Sequence, residues 1–343
     1  MFFEFHGLTA GRQTGKQNVM STPHRLAIWL NTFTLAAGLW QPGIARADLL
    51  FAGDDWGNNL YEFDTQAGQS SMVVYSDDLK GVNGLTTDGK GNLFVSDFGS
   101  RQILKFTPDG NYETFAQLDS SGGGLVFDRD GNLFVPFQWA GRIDELSPDG
   151  HTDTVFATNQ GAPVQLGFDR AGNLFAADQK SGFVYKFDPD GTRTTFATGL
   201  KANALTFDSK GTLFIGSGHT VFKFAADGSR KVFAKGPKSS SCLVFDSKGN
   251  LFSADGSGDV YEFKNKSGVL ATKPELFATG LGHDYFITVM PGSLASASVL
   301  VSSLSSRKLW LILLLLLAAG ACFGCWLYWR KRRPPPAAGT EKG

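Results

Sequence analysis

Cysteine is nearly missing from this chain. Three occur in 343 residues, and Cys322 and Cys325 lie in an apolar run near the C-terminus. Cys242 alone lies in the body, so no internal disulfide framework can form there. It sits in the strand pattern SCLVFD, where a small buried hydrophobe is expected rather than a nucleophile. Histidine is sparse as well. The body has His151, His219 and His283, each in a different repeat and without metal-ligand spacing. The body also lacks a nucleophile elbow, a phosphate loop and a paired-cysteine motif. Positive charge is short in the middle of the chain. Between Asp48 and Met290 there are 30 Asp and Glu against 21 Lys and Arg, although the whole chain is neutral. An acidic body argues against a nucleic-acid partner, which needs a basic surface.

Repetition is what the chain has in abundance. The pattern NLFVSD (92–97) recurs as LLFAGD (49–54), NLFVPF (132–137), NLFAAD (173–178), TLFIGS (212–217) and NLFSAD (250–255). From the second copy onward the spacing is about 40 residues. From the second copy onward each is flanked by three further short β-branched or aromatic runs, such as GLTTD, QILKF and ETFA around the second. Asp-x-x-Gly joins the first run to the second, and Pro-Asp-Gly or Ala-Asp-Gly joins the third to the fourth in four copies. Asp and Gly suit turns that need positive φ or a side-chain cap. Four antiparallel strands per 40 residues predict an all-β, six-bladed β-propeller over 48–290. The Phe of each second strand is expected to pack between neighbouring blades.

The first unit lacks a first strand, and the last is followed by a spare one. FATGLKANALTFD (196–208) aligns without a gap on FATGLGHDYFITV (277–289). The C-terminal strand is therefore expected to close the first blade, built from 49–79 and 283–290. That closure removes an exposed edge.

The ends suggest placement. Met20–Ala47 has a short basic start, an apolar stretch and a small-x-small site, Ala45-Arg46-Ala47, as secretory signals do. Residues 1–19 read as an upstream extension, with Met20 an alternative start. Residues 291–308 read as a linker, in which Pro291–Ser306 is Ser/Ala/Gly-rich and uncharged and Arg307-Lys308 follows. Leu309–Trp329 is an uncharged apolar run of 21 residues, long enough for one C-terminal transmembrane helix. Arg330-Lys-Arg-Arg follows it and heads a basic, Pro-rich tail (330–343). The positive-inside rule puts this tail in the cytoplasm and the propeller outside, periplasmic or cell-surface.

In a propeller the innermost strands line a channel, and ligands gather at its mouth. The residues just before each first strand are Asn83, Gly123, Val164, Asn203, Ser241 and Asp284, with His283 beside the last. Asn83, Asn203 and Asp284 supply oxygens of the kind that Ca²⁺ or another divalent metal takes. Capping of the turn into the strand is the alternative role. The recurrent Asp54, Asp97, Asp178 and Asp255 read as turn scaffold, because a catalytic residue would not recur in four blades. Trp56, Trp139 and His219 depart from the repeat in loops and are candidates for ligand contact.

The unit GLTTDGKGNLFVSDFGSRQILKFTPDG resembles the NHL-type repeat, and the body is similar to the six-bladed propellers of the gluconolactonase/regucalcin superfamily. That resemblance implies a divalent metal held by a Glu, an Asn and an Asp at the channel mouth. Val82-Asn83-Gly84-Leu85 is similar to the segment carrying the Asn, and Asp284 stands for the acid. The Glu opening the first blade has no match here. Three functions follow as expectations: a membrane-anchored module binding a protein, peptide or glycan at the channel face; a metal-dependent lactonase; or a structural surface protein.

Overall fold

The computed structural model describes residues 47–292, apart from 55–57, 109, 159, 237 and 283–284. The predicted signal peptide, linker, membrane span and tail lie outside the described residues. Blade 1 contains β1 (Leu49–Asp54), β2 (Leu60–Asp64) and β3 (Val73–Ser76). Blade 2 contains β4 (Val82–Thr87), β5 (Leu93–Asp97), β6 (Gln102–Phe106) and β7 (Tyr112–Gln117). Blade 3 has β8 (Val126–Phe127), β9 (Leu133–Phe137), β10 (Arg142–Leu146) and β11 (Asp153–Ala157). Blade 4 has β12 (Pro163–Phe168), β13 (Leu174–Asp178), β14 (Phe183–Phe187) and β15 (Arg193–Ala197). Blade 5 has β16 (Ala202–Phe207), β17 (Leu213–Ser217), β18 (Thr220–Phe224) and β19 (Arg230–Lys235). Blade 6 has β20 (Ser240–Phe245), β21 (Leu251–Asp255) and β22 (Val260–Phe263), a small hairpin of β23 (Asn265–Lys266) and β24 (Val269–Leu270), and β25 (Glu275–Ala278). The last strand, β26 (Tyr285–Met290), returns to blade 1.

Each blade is a four-stranded antiparallel sheet, and the six make a β-propeller. The closure follows the sequence reading. β26 pairs with β1 from Leu49↔Met290 to Asp54↔Tyr285, giving the order β26-β1-β2-β3. Asp48, 2% exposed, clasps the joint. Its carboxylate accepts hydrogen bonds from the Gly292 N–H (2.8 Å) and from the Ser247 N–H of blade 6 (2.7 Å).

Aromatic side chains fill the gaps between blades. Phe94, Phe134, Phe175 and Phe214, on second strands, pack edge-on against Phe127, Phe168, Phe207 and Phe245 on the first strands of the next blades. Ring centroids are 4.8–5.3 Å apart. Burying such a ring is worth roughly 1.5–3 kcal/mol, and the edge-to-face geometry adds about 0.5–1.5 kcal/mol. A second aromatic supports each of these Phe residues. In every blade the pairing of third and fourth strands slips by one residue, at Tyr75, Phe115, Phe156, Phe196, Phe233 and Phe277. The β-bulge turns that ring into the interblade gap, so Phe115 meets Phe94 and Phe233 meets Phe214.

The Asp-x-x-Gly turns are built alike. In blade 4, Asp169 Oδ1 accepts the N–H groups of Ala171 and Asn173, and Oδ2 accepts the Asn173 amide. Asp88, Asp128 and Asp246 repeat this box with Asn92, Asn132 and Asn250. The predicted first strand of blade 3 shrinks to Val126–Phe127. Gly122-Gly123-Gly124 replaces its upper half, because the axis is crowded there. A Cβ on the facing Gly84 would lie 2.0 Å from the Gly123 carbonyl oxygen.

Candidate functional site

First strands begin where second strands end: Val82 pairs with Asp97, Ala202 with Ser217 and Ser240 with Asp255. The turns between second and third strands therefore share one face with the starts of the inner strands and the connections between blades. We call this the upper face. The Asp-x-x-Gly and Pro-Asp-Gly turns, with Asp48 and Gly292, form the lower face.

The predicted ring of residues has a common local structure. Asn83, Val164, Asn203 and Ser241 each occupy a β-bulge, where the register skips one residue between first and second strands. A bulge re-aims its side chain and ends regular pairing, so these four occupy equivalent places at the upper ends of the inner strands. They are not equivalent in bonding. The Asn83 amide donates to the Gly122 carbonyl oxygen at 3.0 Å, and the Ser96 hydroxyl donates to the same oxygen at 3.0 Å. Asn83 thus stitches blade 2 to blade 3 and keeps its own carbonyl oxygen for other work. Asn203 Oδ1 is shielded from solvent and has no hydrogen-bond partner among the described residues. A buried acceptor left unpaired costs about 1–3 kcal/mol. Asp284, His283 and Trp56 lie outside the described residues. Among the described residues, no group of three His, Cys, Asp or Glu side chains is placed to hold a metal ion. The two Asn oxygens suit a divalent cation chemically, but they are neutral and need a carboxylate partner to hold one.

One side chain links the inner strands of three blades. Gln165 of blade 4 donates from Nε2 to Cys242 Sγ of blade 6 (3.4 Å), and its Oε1 accepts the Leu205 N–H of blade 5 (3.2 Å). The Cys242 thiol donates to the Ile287 carbonyl at 3.4 Å. Burial pushes this thiol up to about 11, so it is a protonated structural group and not a nucleophile. Four blades are joined across the channel by this chain of bonds. The sequence signal for it was a long polar Gln at a position occupied by Gly84, Gly124 and Ala204 in other blades.

The recurrent Asp residues are scaffold at three of their four positions. Asp97 accepts the Lys80 N–H, Asp178 accepts those of Gly161, Ala162 and Ser181, and Asp255 accepts that of Ser257. At the fourth, Asp54 is the buried last residue of β1, and its N–H donates to the Asn59 carbonyl at 3.0 Å.

The upper face diverges at blade 3. Trp139 stands at the tip of the β9–β10 turn with 73% of its surface exposed. Beside it, Gln138 Nε2 donates to Gln179 Oε1 on the corresponding turn of blade 4 (2.9 Å). Phe98, on the blade 2 turn, is also exposed. His219 is exposed on the blade 5 turn, and its carbonyl accepts the Gly236 N–H. His151 lies on the lower face, so these two histidines do not meet. Arg142 anchors the base of the Trp139 turn. Its Nε sits 3.0 and 2.9 Å from the two oxygens of Asp144, and its Nη2 sits 2.6 Å from Asp119. The guanidinium also covers the Phe137 ring at 4.5 Å. Burial raises Asp144 to about 6, against the opposing pull of Arg142, with Asp153 and Asp119 adding like charge. Asp144 replaces the apolar or aromatic residue found at Tyr61, Leu104, Tyr185, Phe222 and Tyr261. That break in the repeat is the sequence signal for the cluster.

With this geometry in hand, known proteins give one kind of answer. No family model matches the chain, and no curated protein matches it. Solved structures match well. A chain of a nidogen/laminin complex is 21% identical and covers 71% of this chain and 98% of its own, with a TM-score of 0.62. A gluconolactonase of Xanthomonas campestris is 18% identical, covers 74% and 99%, and has a TM-score of 0.54. A catalytically inactive virginiamycin B lyase of Staphylococcus aureus, solved with quinupristin, is 14% identical, covers 65% and 78%, and has a TM-score of 0.51. The likeness is one of fold. This chain shares a propeller fold with a chain of a protein complex and with two enzymes.

Proposed function

We propose that the chain is a membrane-anchored, extracytoplasmic propeller whose upper face binds a protein, peptide or glycan. The observation that carries this reading is Trp139, an indole 73% exposed on a turn that the repeat does not require. Trp, with Tyr and Arg, is enriched where binding energy concentrates in interfaces. The direction of the anchor supports the same face. The propeller ends at Gly292 on the lower face, from which the chain leads to the apolar run 309–329. The upper face is then directed away from the membrane. Arg142, Asp119 and Asp144 hold the Trp139 turn in place, which lowers the ordering cost of binding.

The test is a peptide and glycan array probed with fragment 48–292 and with its Trp139→Ala variant. Signals lost in the variant support the reading; signals indifferent to Trp139 remove it.

A second reading, metal-dependent lactone hydrolysis at the mouth, is favoured by one observation: the buried, unpaired Asn203 Oδ1. Asn83, Asn203 and Asp284 would hold the cation there, which would polarise a lactone carbonyl. Calorimetric titration with Ca²⁺ or Zn²⁺, repeated on Asp284→Ala, separates the readings. No heat of binding, with no lactone hydrolysis, leaves the binding module alone.

A further inference from the structure

The lower face is electrically divided. Its turns in blades 2 to 4 (87–92, 106–113, 127–132, 146–153, 168–173, 187–193) contain ten Asp or Glu and four Lys or Arg. The matching segments of blades 5 and 6 (207–212, 224–231, 245–250, 263–275) contain seven Lys or Arg and four Asp or Glu. Lys231, Lys248, Lys266 and Lys273 are all exposed. Among the described residues, blade 6 alone carries an inserted hairpin here, where blade 1 has a short 3-10 turn at Gly68–Ser71. Asn265 fixes its base, donating from its N–H to Asn250 Oδ1 and from Nδ2 to the Lys248 carbonyl, both at 2.7 Å. Ser267 (φ 54°) and Gly268 (φ 83°) form a tight tip, with both dihedrals in the left-handed region. Leu270 packs into the core between blades 5 and 6, while Val269 beside the tip is 71% exposed.

We infer that this basic sector, with the β23–β24 hairpin at its centre, rests on the surface of an anionic lipid bilayer. The inference builds on the membrane-anchored reading. The exit point and tether length favour lipid over another polyanion. The chain leaves the same face at Gly292, held to Asp48, and Asp48 is bonded to blade 6. Sixteen residues, 293–308, separate it from the apolar run. Such a linker reaches at most about 55 Å and as a flexible coil spans roughly 20–25 Å. The lower face is therefore kept close to the headgroups, within a few Debye lengths. An acidic sector on one side and a basic one on the other would tilt the propeller onto blades 5 and 6. Val269 then meets the headgroup layer, with lysines around it.

Fragment 48–292 contains all six sheets complete, so it serves as the probe once cooperative melting is verified. It is sedimented with vesicles of phosphatidylcholine alone and of phosphatidylcholine with phosphatidylglycerol. The expected result is binding to the anionic vesicles only, weakened by salt. Lys266→Glu with Lys273→Glu should cut that binding at least about tenfold, while Lys90→Glu on blade 2 leaves it unchanged. No binding to anionic vesicles, equal binding to neutral ones, or an equal loss in Lys90→Glu overturns the inference. None of these results touches the anchored binding module, which stands or falls on alkaline extraction of full-length protein from membranes and on the Trp139→Ala array.

Discussion

The two faces of the propeller are built by opposite rules. On the lower face four first turns of the blades carry the same box, in which one Asp takes two backbone N–H groups and an Asn amide. On the upper face the turns differ from blade to blade: Phe98 in blade 2, Gln138 and Trp139 in blade 3, His219 in blade 5. The first kind of turn sets strand register, and a repeat must preserve it. The second hangs from an already closed sheet and is free to carry function. Damage should therefore show as lost stability on the lower side and in the blade gaps, and as lost binding above.

The largest effect is expected from the closure. Deleting 283–292 removes β26, exposes the edge of β1 and unties Asp48. Cooperative thermal unfolding of 48–292 should disappear, and a melting temperature equal to the parent's would refute the closure. Next comes the gap between blades. Phe214, 2% exposed and flanked by Phe233 and Phe245, should lose about 3–5 kcal/mol on substitution by Ala, read by urea unfolding.

Asp144 gives a pH signature. Its folded value of about 6 lies above the ordinary 3.8. The native state thus holds more protons than the unfolded chain between those values. Stability should fall as pH rises from 4 to 7, by at most about 3 kcal/mol. Asp144→Asn should flatten that slope, and a slope unchanged in the variant would contradict the assignment. A single lower-face box is a smaller matter. Asp169→Ala should cost about 1–3 kcal/mol, because three donors lose their acceptor, again by urea unfolding.

The blade count, the interblade Phe contacts and the closing strand were legible because each is repeated or is one copy out of place. The shared repeat position of Asn83, Val164, Asn203 and Ser241 was legible, since all four fall on bulges. Their bonding was not. Nothing local in the sequence says that Asn83 reaches Gly122, or that Gln165 crosses to Cys242, 77 residues away. These are consequences of ring closure, which brings distant inner strands within one side chain's reach. The blade 6 hairpin was hidden because it interrupts a repeat without breaking its strand patterns.

The division between faces is tested most directly by one paired measurement. Trp139→Ala and Asp169→Ala variants of 48–292 are compared for urea stability and for array binding at a temperature where both are folded. The account predicts that Trp139→Ala stays within about 0.5 kcal/mol of the parent and loses its array signals, while Asp169→Ala loses stability and keeps them. A Trp139→Ala variant that binds as the parent does, or an Asp169→Ala variant that alone abolishes binding while folded, would contradict it.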